Sequence, residues 1–219
     1  MHYPFFFIMI FATVAVGEYY IDQVCKNITR FEDQGYDIHI LTDQPNKFDR
    51  YVTYEYPNIL FSYTDKFLFS LMLARKFKTD VFFSDARRIG NIDNSFFSAA
   101  KQFSELTIKG VWEDDTPEWS EIKFKGKVWK PMRKFLIKEN IDPLNCQAYI
   151  EHYLFIPRDT NLVGLQKSLE KIKPVLEYIS TVNENRYIGI GSGEGVGLGY
   201  AIIKNNLKVD FFNPSYFIL

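Results

Sequence analysis

The amino-acid sequence predicts an α/β fold in which helices cover a mainly parallel β-sheet. Short apolar segments alternate with longer amphipathic ones through the first half of the chain, the pattern of strands joined by helices. The 219 residues are 47% hydrophobic and 17% aromatic, which is enough to bury a large core. One apolar strand, at residues 81–83, ends at an acidic and a basic residue, as expected at the ligand-binding edge of such a sheet.

Hydrophobic periodicity places the elements of the first half. Apolar residues at steps of three and four between positions 20 and 31 indicate an amphipathic helix, which Gly35 ends. The other elements predicted here are strands at residues 37–42, 52–56 and 81–83 and a helix at 65–77 capped by Thr64. Strands separated by helices imply parallel pairing.

The second half is less regular but continues the same alternation. The predicted elements are helices at residues 94–102, 162–179 and 196–204 and strands at 106–111, 147–156 and 209–212. Pro174 is expected to kink or interrupt its helix, because proline has no N–H to donate. Since neither a repeat nor a linker divides the chain, we predict one domain over residues 1–219, and its abrupt aromatic ending suggests part of a longer protein.

Residues 1–16 are strongly apolar and resemble a signal peptide or membrane anchor. They lack the positively charged start of a secretory signal, and the apolar stretch is too short to span a bilayer. We therefore favour a buried first strand at residues 5–11 and expect no transmembrane segment. The signal or anchor remains the alternative.

The overall composition argues against several classes of protein. The net charge is −1, so nothing in it favours nucleic acid or an anionic membrane as a partner. Two cysteines and three isolated histidines provide neither a disulfide framework nor zinc-ligand spacing. We expect a cytoplasmic protein in a reducing compartment.

Two further segments each allow two interpretations. Residues 123–138 are rich in cations, which suits either a nucleic-acid or membrane patch or, more commonly, a solvated helix face. Residues 188–199 are rich in glycine but lack the spacing of a dinucleotide-binding or phosphate-binding loop. Glu194 is the one ionisable side chain among these glycines, and it either favours a helix N-terminus or acts in a site.

Four segments, taken in chain order, resemble glycosyltransferases of the GT-A fold, in particular the blood-group-type enzymes and small virus-encoded transferase domains. The matching segments are residues 11–13 with Tyr19 at the exit of the first strand, the TDQP turn within residues 41–45, residues 82–87 at the Asp-x-Asp position, and residues 192–194 at the catalytic acid. The resemblance implies a GT-A-like (Rossmann-like) domain. It also implies transfer of a hexose-type sugar from a nucleotide diphosphate donor, with UDP favoured, to a hydroxyl of a glycan or other acceptor.

The resemblance also implies a role for each matching residue. The base of the nucleotide is expected near Phe11, Ala12, Thr13 and Tyr19, and the ribose, phosphates and sugar near Asp65, Lys66, Ser84, Asp85, Ala86 and Arg87. Glu194 or Glu151 is expected to be the general base if configuration inverts, or to flank the anomeric carbon if it is retained. The expected acceptor wall consists of Trp112, Trp119 and His152.

The sequence departs from the family at the second acid of Asp-x-Asp, where Arg87 stands. In the usual motif two carboxylates hold a divalent cation, Mn²⁺ or Mg²⁺, which neutralises the diphosphate. One hypothesis is that Asp85 still holds a metal. The other is that Arg87, Arg88 and Lys66 replace it, since guanidinium groups bind phosphate directly.

Two other functions stay open at this stage. A domain that binds nucleotide sugars without transferring them is compatible with the altered motif. A nucleic-acid-directed protein using residues 123–138 is the third possibility, although no nucleic-acid partner is expected from the net charge.

Overall fold

The computed structural model describes residues 9–56, 64–110, 130–150, 152–182 and 194–218, and its centre is a seven-stranded sheet. The strands are β1 Ile10–Ala15, β2 Asp37–Thr42, β3 Val52–Glu55, β4 Val81–Ser84, β5 Leu106–Ile108, β6 Tyr153–Ile156 and β7 Val209–Phe211. The α-helices are α1 Glu18–Asn27, α2 Thr29–Glu32, α3 Thr64–Phe77, α4 Asn94–Ala99, α5 Lys130–Lys138, α6 Leu162–Val182 and α7 Glu194–Lys204. A 3₁₀ helix, Ala86–Asn91, follows β4 directly.

The strand order is β3-β2-β1-β4-β6-β5-β7. Strand β6 is antiparallel to β4 and β5, and every other described pair is parallel. The carboxyl ends of β1, β2, β4 and β5 therefore meet the amino end of β6 along one side of the sheet, which we call the carboxyl edge. This arrangement confirms the predicted Rossmann-like α/β fold with a mainly parallel sheet.

Helices cover both faces of the sheet, and successive residues of β4 alternate between the two cores. Val81 and Phe83 pack with the face covered by α3, α6 and α7. Phe82 packs with the opposite face, where Phe31 and Phe96 lie within 6.3 Å of its ring. A short strand that is buried on both sides, as its apolar sequence predicts, can thus bring its last residues to the carboxyl edge.

The first strand lies further along the chain than the predicted 5–11. Strand β1 pairs with β2 from Ile10 to Ala15 and with β4 from Ile10 to Ala12, so its neighbours set its bounds. Residues 1–8 lie outside the described residues. Among the helices that the structure describes, none combines the length and the hydropathy needed to cross a bilayer.

Three expectations for the second half also need correction. Strand β6 has four residues instead of the predicted ten, because the preceding Tyr149 and Ile150 donate their N–H groups to Gly195 and Gly110 outside the strand ladder. Strand β5 ends at Ile108, with Val111 outside the described residues. Pro174 does not interrupt helix α6, since the buried apolar face of the helix packs on both sides of the proline.

Candidate functional site at the carboxyl edge

Asp85 and Lys66, both predicted as site residues, lie together where β4 ends. Lys66 extends from the first turn of α3, and its Nζ lies 3.4 Å from Oδ1 of Asp85. The lysine side chain is 2% exposed and the aspartate 19% exposed, so the pair forms the boundary between core and solvent. A buried ammonium requires a negative partner, which explains why an acid follows the strand at this point.

The two arginines that follow Asp85 take different positions in the 3₁₀ helix. Arg87 is exposed, whereas Arg88 is half-buried. The Arg88 N–H donates to the Asp85 carbonyl at 2.8 Å, and its own carbonyl accepts from the Tyr153 hydroxyl at 3.0 Å. The Arg88 Nε is buried and has no acceptor among the described residues.

Lys109, the first residue after β5, brings a further cation to the same edge. Its Nζ lies 5.8 Å from the ring centroids of Tyr153 and Phe217, which stack 3.9 Å apart. Burial, with a smaller contribution from the Arg88 charge, lowers the pKa of Lys109. Burial raises the pKa of the Tyr153 hydroxyl, so this group stays protonated as the donor to Arg88.

Residues from other parts of the chain bind the backbone at the end of the 3₁₀ helix that carries these arginines. The Arg30 guanidinium, from α2, donates to the carbonyl of Gly90 at 3.2 Å and to that of Ile92 at 2.5 Å. The Ile218 N–H donates to the Asn91 carbonyl at 2.6 Å. These bonds fix the backbone at the end of the segment that carries Arg88.

The TDQP turn has a structural role at the other end of the carboxyl edge. The Asp43 carboxylate accepts hydrogen bonds from the Gly17 N–H at 3.1 and 3.2 Å, which ties the end of β2 to the start of α1. Gly17 has φ 88°, a left-handed conformation that glycine adopts at little cost. Tyr19, in the first turn of α1, is 59% exposed.

The three residues predicted at the exit of the first strand lie inside β1 instead. Phe11 is fully buried and its ring stacks on Phe31 with centroids 3.8 Å apart, so it has no surface on which a base could stack. Ala12 is also fully buried, and the Thr13 hydroxyl donates to the Ser84 carbonyl at 2.8 Å. Of the four residues predicted to hold the base, Tyr19 is the one that presents surface.

Asp65, predicted to contact the donor, is engaged within the protein. Its carboxylate accepts from the Tyr56 hydroxyl at 2.7 Å and from Lys173 Nζ at 2.5 Å. The Asp65–Lys173 pair therefore links α3 to α6. Ser84 and Ala86 are buried on either side of Asp85, and the Asp85 N–H donates to the His152 carbonyl at 2.9 Å.

Several predicted site residues lie outside the part of the chain that the structure describes. These are Glu151, the side chain of Glu194, Trp112 and Trp119. Of the basic segment 123–138, the described part is α5, which buries Met132 and Leu136 and exposes its cations. That pattern favours the solvated helix face over a nucleic-acid patch.

The described residues offer a divalent cation at Asp85 a single carboxylate. Within the described ranges, no three His, Cys, Asp or Glu side chains converge to hold a metal by protein ligands alone. Asp85 is accompanied by cations, with Lys66 paired to it and Arg88 and Lys109 along the same edge. Hard divalent cations take several oxygen ligands, and neighbouring positive charges oppose their binding.

Comparisons with known proteins give the chain neither a family nor an activity. No protein-family model matches the sequence, and no curated protein matches it. A solved structure that is similar in outline is the 4-diphosphocytidyl-2C-methyl-D-erythritol synthase of Anaerococcus prevotii, with a TM-score of 0.47 and 11% identity over 97% of this chain and 92% of that one. At this score and identity the match carries no functional assignment.

Sequence reasoning missed Lys109 and Tyr153 as parts of this site. Lys109 lies inside the predicted strand 106–111, and Tyr153 lies inside the predicted strand 147–156. The available signal was position: the first polar residue after a strand that is parallel to β4 must lie at the same edge as Asp85.

Proposed function

We propose that the protein is a glycosyltransferase that moves a hexose-type sugar from a UDP-sugar to a hydroxyl of a glycan or other acceptor. The observation that carries the proposal is that Asp85, Arg88 and Lys109 all follow strands that end at the carboxyl edge of a mainly parallel sheet. Ligands of open α/β sheets bind at this edge. A nucleoside diphosphate is the leaving group of the reaction, and cations at this edge suit its charge.

The proposed reaction breaks the bond between the anomeric carbon and the diphosphate oxygen and forms one from the acceptor oxygen to that carbon. The hydroxyl proton passes to a carboxylate, for which the resemblance implies Glu194 or Glu151. Negative charge builds on the departing diphosphate as the sugar becomes positive, so fixed cations beside the diphosphate lower the barrier. Asp85, which is partly exposed beside these cations, is proposed to orient the donor.

A UDP-release assay tests the proposal. The protein is incubated with each of several UDP-hexoses, with and without a panel of simple glycosides, and free UDP is measured. The proposal predicts release that depends on one donor and rises with an acceptor. Binding of UDP without release from any donor would instead support a nucleotide-sugar-binding domain, which the change from a second acid to Arg87 keeps open.

A double variant distinguishes a loss of turnover from a loss of folding. Asp85→Asn combined with Lys66→Met neutralises both members of the ion pair together, so neither charge of this pair is left facing an uncharged partner. We expect this variant to fold but to lose turnover. Asp159→Asn, at a carboxylate that is 93% exposed, is the matched control and should retain wild-type release.

A further inference from the structure

Arg88 and Lys109 differ from the other cations that are half-buried or buried in the described residues. Arg30 binds main-chain carbonyls, Lys66 pairs with Asp85, and Lys173 pairs with Asp65. Arg88 and Lys109 have no oxygen acceptor for their side chains among the described residues.

Two partly desolvated cations at the same edge of the sheet oppose folding unless something compensates them. The Arg88 Nε is an N–H donor without accessible surface and without an acceptor in the described part of the chain, which is rare in native proteins. Burial and the Arg88 charge both lower the pKa of Lys109, so the ammonium is held at a cost. An anionic ligand would remove both penalties.

The segments that carry Arg88 and Lys109 are held by their surroundings. Arg88 lies in the 3₁₀ helix that Arg30 and Ile218 hold in place. Lys109 lies over the edge of the Tyr153–Phe217 stack, and the Tyr153 hydroxyl binds the Arg88 carbonyl. A planar guanidinium with several donors, set beside a compact ammonium, suits a group with several charged oxygens.

We propose that Arg88 and Lys109 bind the diphosphate of the donor directly and do so without a divalent cation. The inference rests on the proposed function, because it names the groups that hold the leaving group of that reaction. Of the three residues that the sequence suggests for this role, Arg87, Arg88 and Lys66, the inference keeps Arg88 and adds Lys109. Arg87 is exposed, and Lys66 is paired with Asp85.

Isothermal titration with inorganic diphosphate, in EDTA and again with Mn²⁺, tests the inference. We expect diphosphate to bind in EDTA. Adding Mn²⁺ should not raise the affinity of the protein for diphosphate, once the diphosphate that Mn²⁺ itself chelates is taken into account. Arg88→Gln and Lys109→Met should each weaken it by about tenfold or more, the usual worth of a charge-assisted hydrogen bond. Lys101→Met removes an exposed lysine elsewhere on the surface and is the matched control, with a change below about twofold.

Thermal unfolding of every variant shows whether it is folded, and Arg88→Lys provides a second variant that keeps the charge but loses the planar fork. Arg88→Lys should bind more weakly than wild type and more tightly than Arg88→Gln. The inference is overturned if diphosphate does not bind in EDTA, if binding requires Mn²⁺, or if Arg88→Gln and Lys109→Met bind as the control does. Diphosphate binding without UDP release from any sugar donor would contradict the proposed function alone.

Discussion

Two charged clusters of this protein differ in how completely their charges are matched. In the first, the Glu139 carboxylate, 7% exposed, accepts from Lys171 at 2.7 Å, from Tyr200 at 3.1 Å and from Lys204 at 3.3 Å. In the second, Arg88 and Lys109 both lie at the carboxyl edge, and their side chains have no acceptor from the described residues. The charges of the first cluster are satisfied within the protein, whereas the second leaves donors for which we propose the diphosphate as the acceptor.

Breaking the Asp85–Lys66 ion pair, at the boundary of the second cluster, should have the largest effect on stability. Asp85→Asn removes the carboxylate that lies 3.4 Å from the buried Lys66 ammonium. We expect a loss of about 2–3 kcal/mol in the free energy of unfolding, below the usual value for a fully buried pair because Asp85 is partly exposed. Urea unfolding measures it. Adding Lys66→Met should recover most of the loss, and a double variant as unstable as Asp85→Asn would contradict the ion-pair account.

The Glu139 cluster should make stability depend on acid pH. The hydrogen bonds from Lys171 and the other donors lower the pKa of Glu139 below its ordinary value of 4.5. A carboxyl whose pKa is lower in the folded state adds stability that is present above about pH 4.5 and is lost as pH falls through the folded pKa. Glu139→Gln should therefore lower Tm at pH 7 by about 3 °C. The difference from wild type should shrink below pH 4, and a difference that does not change with pH would contradict this role.

Lys109→Met should change stability in the opposite direction and increase it. The lowered pKa of Lys109 means that its charged form is disfavoured in the folded protein, so the charge opposes folding below its folded pKa and ceases to do so as pH rises toward its ordinary value of 10.5. Without ligand, the variant should be more stable than wild type at pH 7, by less than about 1 kcal/mol after allowance for solvent screening. A variant that binds diphosphate more weakly and is also more stable marks a ligand site. A fall in Tm would indicate a structural role instead.

The smallest expected effect is that of Arg87→Gln, which distinguishes Arg87 from the adjacent Arg88. Arg87 is exposed, so Arg87→Gln removes a charge that solvent screens. We expect it to weaken diphosphate binding by less than about threefold, against about tenfold for Arg88→Gln. Titration of both variants in the same buffer makes the comparison. Equal losses would place the anion nearer to the surface than the Arg88–Lys109 pair.

Local patterns predicted much of the fold. Strand β2, helix α3 and strand β4 lie where periodicity placed them, because each buries a face that its own sequence defines. The bounds of β1 were wrong because they depend on pairing with β2 and β4, which periodicity does not contain. Pairing also set the end of β5, which kept Lys109 from being recognised.

The candidate site was predicted only where its chemistry is local in sequence. Asp85 was found because an acid that follows a buried strand is visible in the sequence. The ion pair between Asp65 and Lys173 could not be predicted, since 108 residues separate the two in sequence. The choice between Arg87 and Arg88 depends on which side chain the 3₁₀ helix turns inward, and neighbouring residues of the same type carry no signal for that.

The most direct test of the account is calorimetric titration of UDP and GDP in EDTA and in Mn²⁺, with wild type and Arg88→Gln. We predict that UDP binds in EDTA, that inorganic diphosphate competes with it, and that Arg88→Gln loses about tenfold in affinity. Failure of both nucleotides to bind, with or without Mn²⁺, would contradict the assignment of the carboxyl edge as a donor site.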